Sequence, residues 1–289
     1  LKMAYVVTST KEEYLMTRMQ GVEGYCGKFN DILCCRKSTV ENFDSFVIFF
    51  HGDVQHFEHF MNRGIYAKQY MAWSLEATAK LLSNKFPNSF IIIIRASDVR
   101  SYPIVNYVNF VCCRNSVYSG NDSSHSALDH LASLFDAVIV KMTALGVKLD
   151  YLRPIHLIGF SKGSTVINEL VLEFVNIIRN VKSPPHNVLN RVVSIHWLDA
   201  GHSGNSDVWI TNGDLIRALV EALPNVSFFI HLTPYQMKDR NRPWIAEEEK
   251  QFSSHLLTHN AKMKRKEYMQ DENTSLENHF RLLEQFDPN

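Results

Sequence analysis

The chain has 289 residues, of which 45% are hydrophobic, 11% aromatic and 21% charged, and 30 basic residues balance 30 acidic ones. That balance lacks the basic excess of a nucleic-acid protein, so no nucleic-acid partner is expected. The longest apolar runs, Phe46–Phe50 and Phe90–Ile94, are far too short to cross a bilayer, and no integral membrane segment is expected.

In chain order, Leu1 opens a stretch without a cationic, apolar signal segment, which leaves targeting open. Phe46–Phe50 reads as a strand buried on both faces, Met71–Lys85 as an amphipathic helix and Phe90–Ile94 as a second buried strand. Ser97–His125 is rich in Asn, Ser and Gly and reads as a loop or partial cap inserted at residues 97–125, with a short strand at Phe110–Cys113. A helix over Ser126–Leu145 stops at Gly146, Ile155–Ile158 is a strand and Ser164–Arg179 a helix. Pro184–Pro185 breaks the chain. Strands at Arg191–Trp197 and Val226–Leu232 then flank a helix at Gly213–Leu223. A helix over Trp244–His259, an edge strand at Met263–Tyr268 and a terminal helix at Leu276–Phe286 complete the pattern. At least six strands with helical crossovers predict one α/β domain over residues 1–289, a doubly wound, mostly parallel sheet with helices on both faces. Cys26, Cys34–Cys35 and Cys112–Cys113 form neither a C-x-x-C pair nor a disulfide framework, and reduced thiols are expected.

Such a sheet takes its chemistry from the turns after its strands. No G-x-G-x-x-G is present, and Gly21–Lys28 has the wrong spacing for a phosphate loop, with Phe29 where Ser or Thr is required. Gly159-Phe160-Ser161-Lys162-Gly163, however, is a G-x-S-x-G between a predicted buried strand and a predicted helix. In that context the serine occupies a tight turn and the following helix start aims backbone N–H groups at an oxyanion. A bare small-residue β-to-α turn is the plainer alternative. His51-Gly52-Asp53 follows the Phe46–Phe50 strand, so the N–H of Asp53 or of Gly52 is the candidate partner of the Lys162 N–H in an oxyanion hole.

The acid and the base should follow the serine in that order. Two aspartates qualify as the acid. Asp239, after the Val226–Leu232 strand, has the more usual placement, and Asp199, after Arg191–Trp197, is the alternative. Either could instead cap a helix or pair with Arg240 or Arg242. Among 13 histidines only His279 lies after the last predicted strand, which makes it the candidate base. The basic run Lys262–Lys266 reads as a solvated edge strand, Glu247–Glu249 as a complement to a helix dipole and Cys112–Cys113 as packing.

Four segments in this order resemble the chromosome 2 open reading frame 69 family: Gly159–Gly163, Trp197–Gly204, Thr233–Gln236 with Asp239, Arg242 and Trp244, and Glu277–Phe280. The resemblance runs from about Phe43 to Phe286 and is weakest over Ser97–Ser126 and Asn260–Ser275. It implies an α/β-hydrolase fold, a triad centred on Ser161 and a mitochondrial location, with cytoplasmic or secreted locations as alternatives. It supplies no substrate. The expected activity is therefore that of a serine hydrolase acting on a small acyl ester, thioester or lipid through Ser161, Asp239 and His279, without metal or organic cofactor. The alternative is an inactive hydrolase-fold scaffold or regulatory protein.

Overall fold

The structure is a computed structural model that describes residues 13–111, 126–179, 187–202 and 206–289. The expected break at Pro184–Pro185 and the Cys112–Cys113 pair lie outside the described residues.

Eight strands form one sheet: β1 (Tyr14–Glu23), β2 (Phe29–Lys37), β3 (Ser45–Phe50), β4 (Ser89–Ile94), β5 (Ile155–Phe160), β6 (Val192–Leu198), β7 (Ser227–Leu232) and β8 (Met263–Glu267). Their spatial order is β1-β2-β4-β3-β5-β6-β7-β8. β2 runs antiparallel to both β1 and β4, and every pair from β4 to β8 is parallel. The parallel strands read as continuous apolar runs because both of their faces are covered. In β3, Phe46, Ile48 and Phe50 point to one layer and Val47 and Phe49 to the other.

The short helices α1 (Glu58–Met61) and α2 (Ile65–Lys68) lead to α3 (Leu75–Lys85), which packs Leu75, Ala79 and Leu82 on the Val47 face. Helix α4 (Ala127–Ala144) and helix α5 (Ser164–Arg179) bury Leu131, Leu134, Val166 and Leu170 on the opposite face. α6 (Gly213–Ala222), the one-turn α7 (Pro234–Met237), α8 (Trp244–Thr258) and α9 (Leu276–Gln285) follow. Helices after β3 and β5 thus leave adjacent strands toward opposite faces. Their connections part at the carboxyl ends of those strands, which is where open α/β sheets form a binding crevice.

Three expectations change. The hairpin β1–β2 was not foreseen, and the stretch tested as a phosphate loop is the end of β1, with Gly21 at φ 55° where the ladder shifts register, and the turn into β2, with Gly27 at φ 69°. The expected strand at Phe110–Cys113 does not start at Phe110, which is buried in a turn and stacks edge-on to Phe50 at 5.3 Å. The helix expected from Met71 begins only at Leu75, because Ser74 caps it by accepting from the Ala77 N–H at 3.2 Å, and Met71–Trp73 form a separate turn. The topology is that of the expected α/β-hydrolase fold.

Candidate active site

Ser161 directly follows β5 and takes φ 50°, a left-handed conformation that costs a β-carbon-bearing residue about 1–3 kcal/mol. The turn is tight because α5 starts three residues later. A Cβ on Gly163 would stand 2.0 Å from the Phe50 carbonyl oxygen, so only glycine lets this turn close against β3. Ser164 is fully buried, and its hydroxyl donates to the Gly159 carbonyl at 3.0 Å, tying the helix start to the strand end.

The loop after β3 comes up against this turn. A Cβ on Gly52 would lie 2.8 Å from Cβ of Ser161, so glycine is what allows the two backbones to approach. Almost every polar group of the loop is engaged. The Gly52 N–H donates to Gln55 Oε1 at 3.0 Å, and the Gly52 carbonyl accepts from His51 Nδ1 at 2.7 Å. The Val54 N–H donates to the Pro103 carbonyl at 2.8 Å, while the Val54 carbonyl accepts from the Tyr102 hydroxyl at 2.6 Å. The Asp53 carboxylate accepts from the Val105 N–H at 2.8 Å. The Asp53 N–H has no hydrogen-bond partner among the described residues. A trans peptide points its N–H opposite to its C=O. Pinning the Gly52 carbonyl on His51 therefore turns the Asp53 N–H the other way. Of the two expected donors, the Gly52 N–H is bonded to Gln55 and the Asp53 N–H is not.

His51 is fully buried, and its Nε2 accepts from the Ala96 N–H at 3.0 Å. With Nδ1 donating and Nε2 accepting, the ring is a neutral spacer. Burial pushes its pKa down to about 4, which keeps it so at neutral pH.

His279 enters from α9, whose N-cap Ser275 accepts from the Asn278 N–H at 3.1 Å. Its ring stacks on Phe160, the residue before Ser161, at 4.5 Å and 28°, and lies 4.7 Å from the Tyr235 ring. Its Nδ1 is 2.8 Å from Oδ2 of Asp199. That leaves Nε2 as the ring nitrogen able to take a proton. Asp199 directly follows β6, is 0% exposed and takes φ 43°. Its carboxylate also accepts from the Thr233 N–H at 2.7 Å and from the Thr233 hydroxyl at 2.5 Å.

Asp239, the aspartate that sequence placement favoured, is not brought to His279. It pairs with Arg242 Nε at 2.7 Å and accepts from the Asn241 N–H at 2.9 Å, a local helix-entry contact. Those bonds hold its carboxyl below the ordinary range against the opposing effect of desolvation. The aspartate partnered with His279 is the alternative, Asp199.

The Asp53 carboxyl is pushed up by burial, while the charges of Lys162 and His279 pull it back. Among the described residues, no group of three or more His, Cys, Asp or Glu side chains is placed to hold a metal ion.

Sequence reasoning missed Gln236, which is 1% exposed. Its amide nitrogen donates to the Asp199 carbonyl at 2.5 Å and to the Gly201 carbonyl at 2.9 Å, and its Oε1 accepts from the Gly201 N–H at 2.6 Å. The amide thus straps the turn that presents Asp199. The signal was the polar Gln inside an otherwise apolar segment two residues after Pro234.

The solved structure of esterase Est22 superposes with a TM-score of 0.51 at 14% identity, covering 94% of this chain and 76% of that one, a likeness of fold. Zebrafish mitochondrial protein C2orf69 homolog is 28% identical over 297 residues, spanning 94% of this chain and 85% of its own length. Human mitochondrial protein C2orf69 is 27% identical over 289 residues, spanning 83% and 74% respectively. The C2orf69 family model matches residues 18–149 and 149–262, and the chain belongs to that family.

Proposed function

We propose that the protein is a serine hydrolase that cleaves an acyl ester or thioester, and that it works in the mitochondrion, as the names of its relatives indicate. The observation that carries this reading is the buried Asp199–His279 pair at 2.8 Å, its imidazole stacked on the residue that precedes a left-handed Ser161. General-base catalysis needs that pair to fix the tautomer, and its placement beside the Ser161 turn supports catalysis over a scaffold role.

In this reading Nε2 of His279 takes the Ser161 proton as Oγ attacks the acyl carbonyl. The N–H groups of Asp53 and Lys162 receive the oxyanion. The imidazolium then returns the proton to the leaving alcohol or thiol, and water repeats the sequence on the acyl-enzyme. Asp199 holds the ring in place and stabilises the imidazolium.

Labelling with a fluorophosphonate probe tests the reading. Folded wild-type protein is expected to be labelled at Ser161, Ser161→Ala to be unlabelled, and His279→Ala to react slower by at least ~10³-fold. Absence of labelling in folded protein, with no turnover of short-chain aryl esters, would instead favour the scaffold.

A further inference from the structure

We propose that α1, α2 and the loop around Ile104 form a face that docks on a lipid bilayer bearing anionic headgroups, and that this face sets the mouth of the site against acyl chains held there. The substrate half of the statement rests on the hydrolase reading. The docking half does not.

This face carries the largest apolar exposures near the site. Ile65, the first residue of α2, is 92% exposed, Ile104 48%, Tyr66 47% and Phe60 37%. Single exposed apolar residues are ordinary, but four grouped on one rim are not. Phe60 and Tyr66 are tied to the site by ring contacts. Phe60 stacks on His56 at 3.9 Å and meets Tyr102 edge-on at 5.1 Å, and the Tyr102 hydroxyl donates to Val54 beside the oxyanion loop. On the other flank Tyr66 lies 5.5 Å from Tyr70, and Tyr70 lies 5.1 Å from Phe280, the neighbour of His279. Rings therefore lead from the exposed face to both sides of the catalytic groups, an apolar path suited to an acyl chain.

Charge identifies the occupant. Arg63 and Lys68 are exposed and bracket Ile65 and Tyr66. Among the described residues neither takes part in an ion pair. The acid of the segment, Glu58, opens α1, where its N–H donates to the Glu76 carboxylate at 2.8 Å. Aliphatic and aromatic tips flanked by unpaired cations match an interface in which apolar groups enter the acyl region and long basic side chains meet headgroup phosphates. A protein partner would need roughly 20–30 residues a side, many more than two one-turn helices and a loop present.

The test is vesicle flotation of full-length Ser161→Ala protein, which removes turnover from the readout. Phosphatidylcholine vesicles are compared with vesicles that also contain phosphatidylglycerol. Wild-type-like partitioning is expected on the anionic vesicles and weak partitioning on the neutral ones. Ile65→Asp should cut partitioning at least ~10-fold, and Arg63→Glu with Lys68→Glu should abolish the anionic preference. Ile65 is so exposed that its replacement should leave the melting temperature unchanged. No flotation, or Ile65→Asp floating like its parent, overturns the proposal. So does concentration-dependent self-association that Ile65→Asp abolishes, which would make the occupant a second copy of the chain. Because binding is read without catalysis, loss of the hydrolase activity elsewhere would leave the docking result standing.

Discussion

Three donors converge on the Asp199 carboxylate, two from Thr233 and one from His279, and none of its surface meets water. Asp199→Asn keeps the shape but offers the imidazole an amide, so the ring can settle in the wrong tautomer. The expected loss in probe-labelling rate is about 10⁴-fold. Asp239→Asn breaks only a partly exposed pair and should leave labelling unchanged, with a stability loss of about 1 kcal/mol or less by thermal melting. The sequence made both aspartates visible and its strand order favoured Asp239, whereas the structure brings Asp199 to His279, because which turn reaches α9 is not written in strand order. Asp239 had a cation three residues on, and that nearby partner was the stronger clue. Gln236 gives a third residue-scale prediction. Gln236→Glu retains an acceptor for the Gly201 N–H but sets a carboxylate against two carbonyl oxygens. Labelling should slow by ~10-fold or more while Gln236→Asn partly rescues it, since buried carbonyls left unpaired cost about 1–3 kcal/mol each. Equal labelling rates for all three proteins, measured below their melting temperatures, would remove Gln236 from a positioning role.

Among elements, the junction of β3 and β5 bears the site. The Gly163 turn touches the backbone of Phe50, so Ser161 and the loop after β3 are fixed to each other through two adjacent strands. A methyl group at Gly163 meets not a movable side chain but the Phe50 carbonyl, at 2.0 Å from its oxygen and 2.4 Å from its carbon. Gly163→Ala should therefore lower stability by about 3 kcal/mol or more, read as a fall in the denaturation midpoint. The strands that make this junction were legible in the sequence because double-sided burial writes an unbroken apolar run. β1 and β2 were not. In β1 the pattern Met-Thr-Arg-Met-Gln-Gly mixes a charge, an amide and a glycine, and the ladder with β2 shifts register between Met19 and Val22. An edge hairpin with one wet face and a bulge leaves little periodicity to read. β8 was legible for a different reason: its Lys264-Arg265-Lys266 run suits an edge strand that must not recruit another sheet.

For the molecule as a whole, buried imidazoles couple stability to pH. His156, Ser194, His196, His231 and Tyr268 form a hydrogen-bonded chain across β5 to β8, with successive contacts of 2.7, 2.8, 3.4 and 2.9 Å. Burial drives His156 down to about 4, His231 to about 3, and His196 well below its ordinary value, and His51 behaves alike. The fold therefore holds these rings neutral, whereas the unfolded chain protonates them near 6.5. Above that value neither state takes up the protons and the full stability is present. As pH falls from 6.5 toward 4 the unfolded state binds more, and each histidine removes about 1.4 kcal/mol per pH unit. Glu169 opposes this, because burial and Glu173 raise its carboxyl to about 7, and the folded state gains that proton first. Burial also raises the carboxyls of Asp53 and Glu76, but it lowers His56, to about 3, and His59 together with the four rings above, so the imidazoles outnumber the carboxyls and a net decline remains. Urea denaturation at pH 7, 6 and 5 should show the midpoint falling at each step. His156→Asn keeps an acceptor or donor for Ser194 but cannot titrate, so its stability should decline with pH by one proton less than the wild type. A wild-type midpoint flat between pH 7 and 5 would mean that water reaches these rings and that the chain across the sheet is open to protons in the folded state.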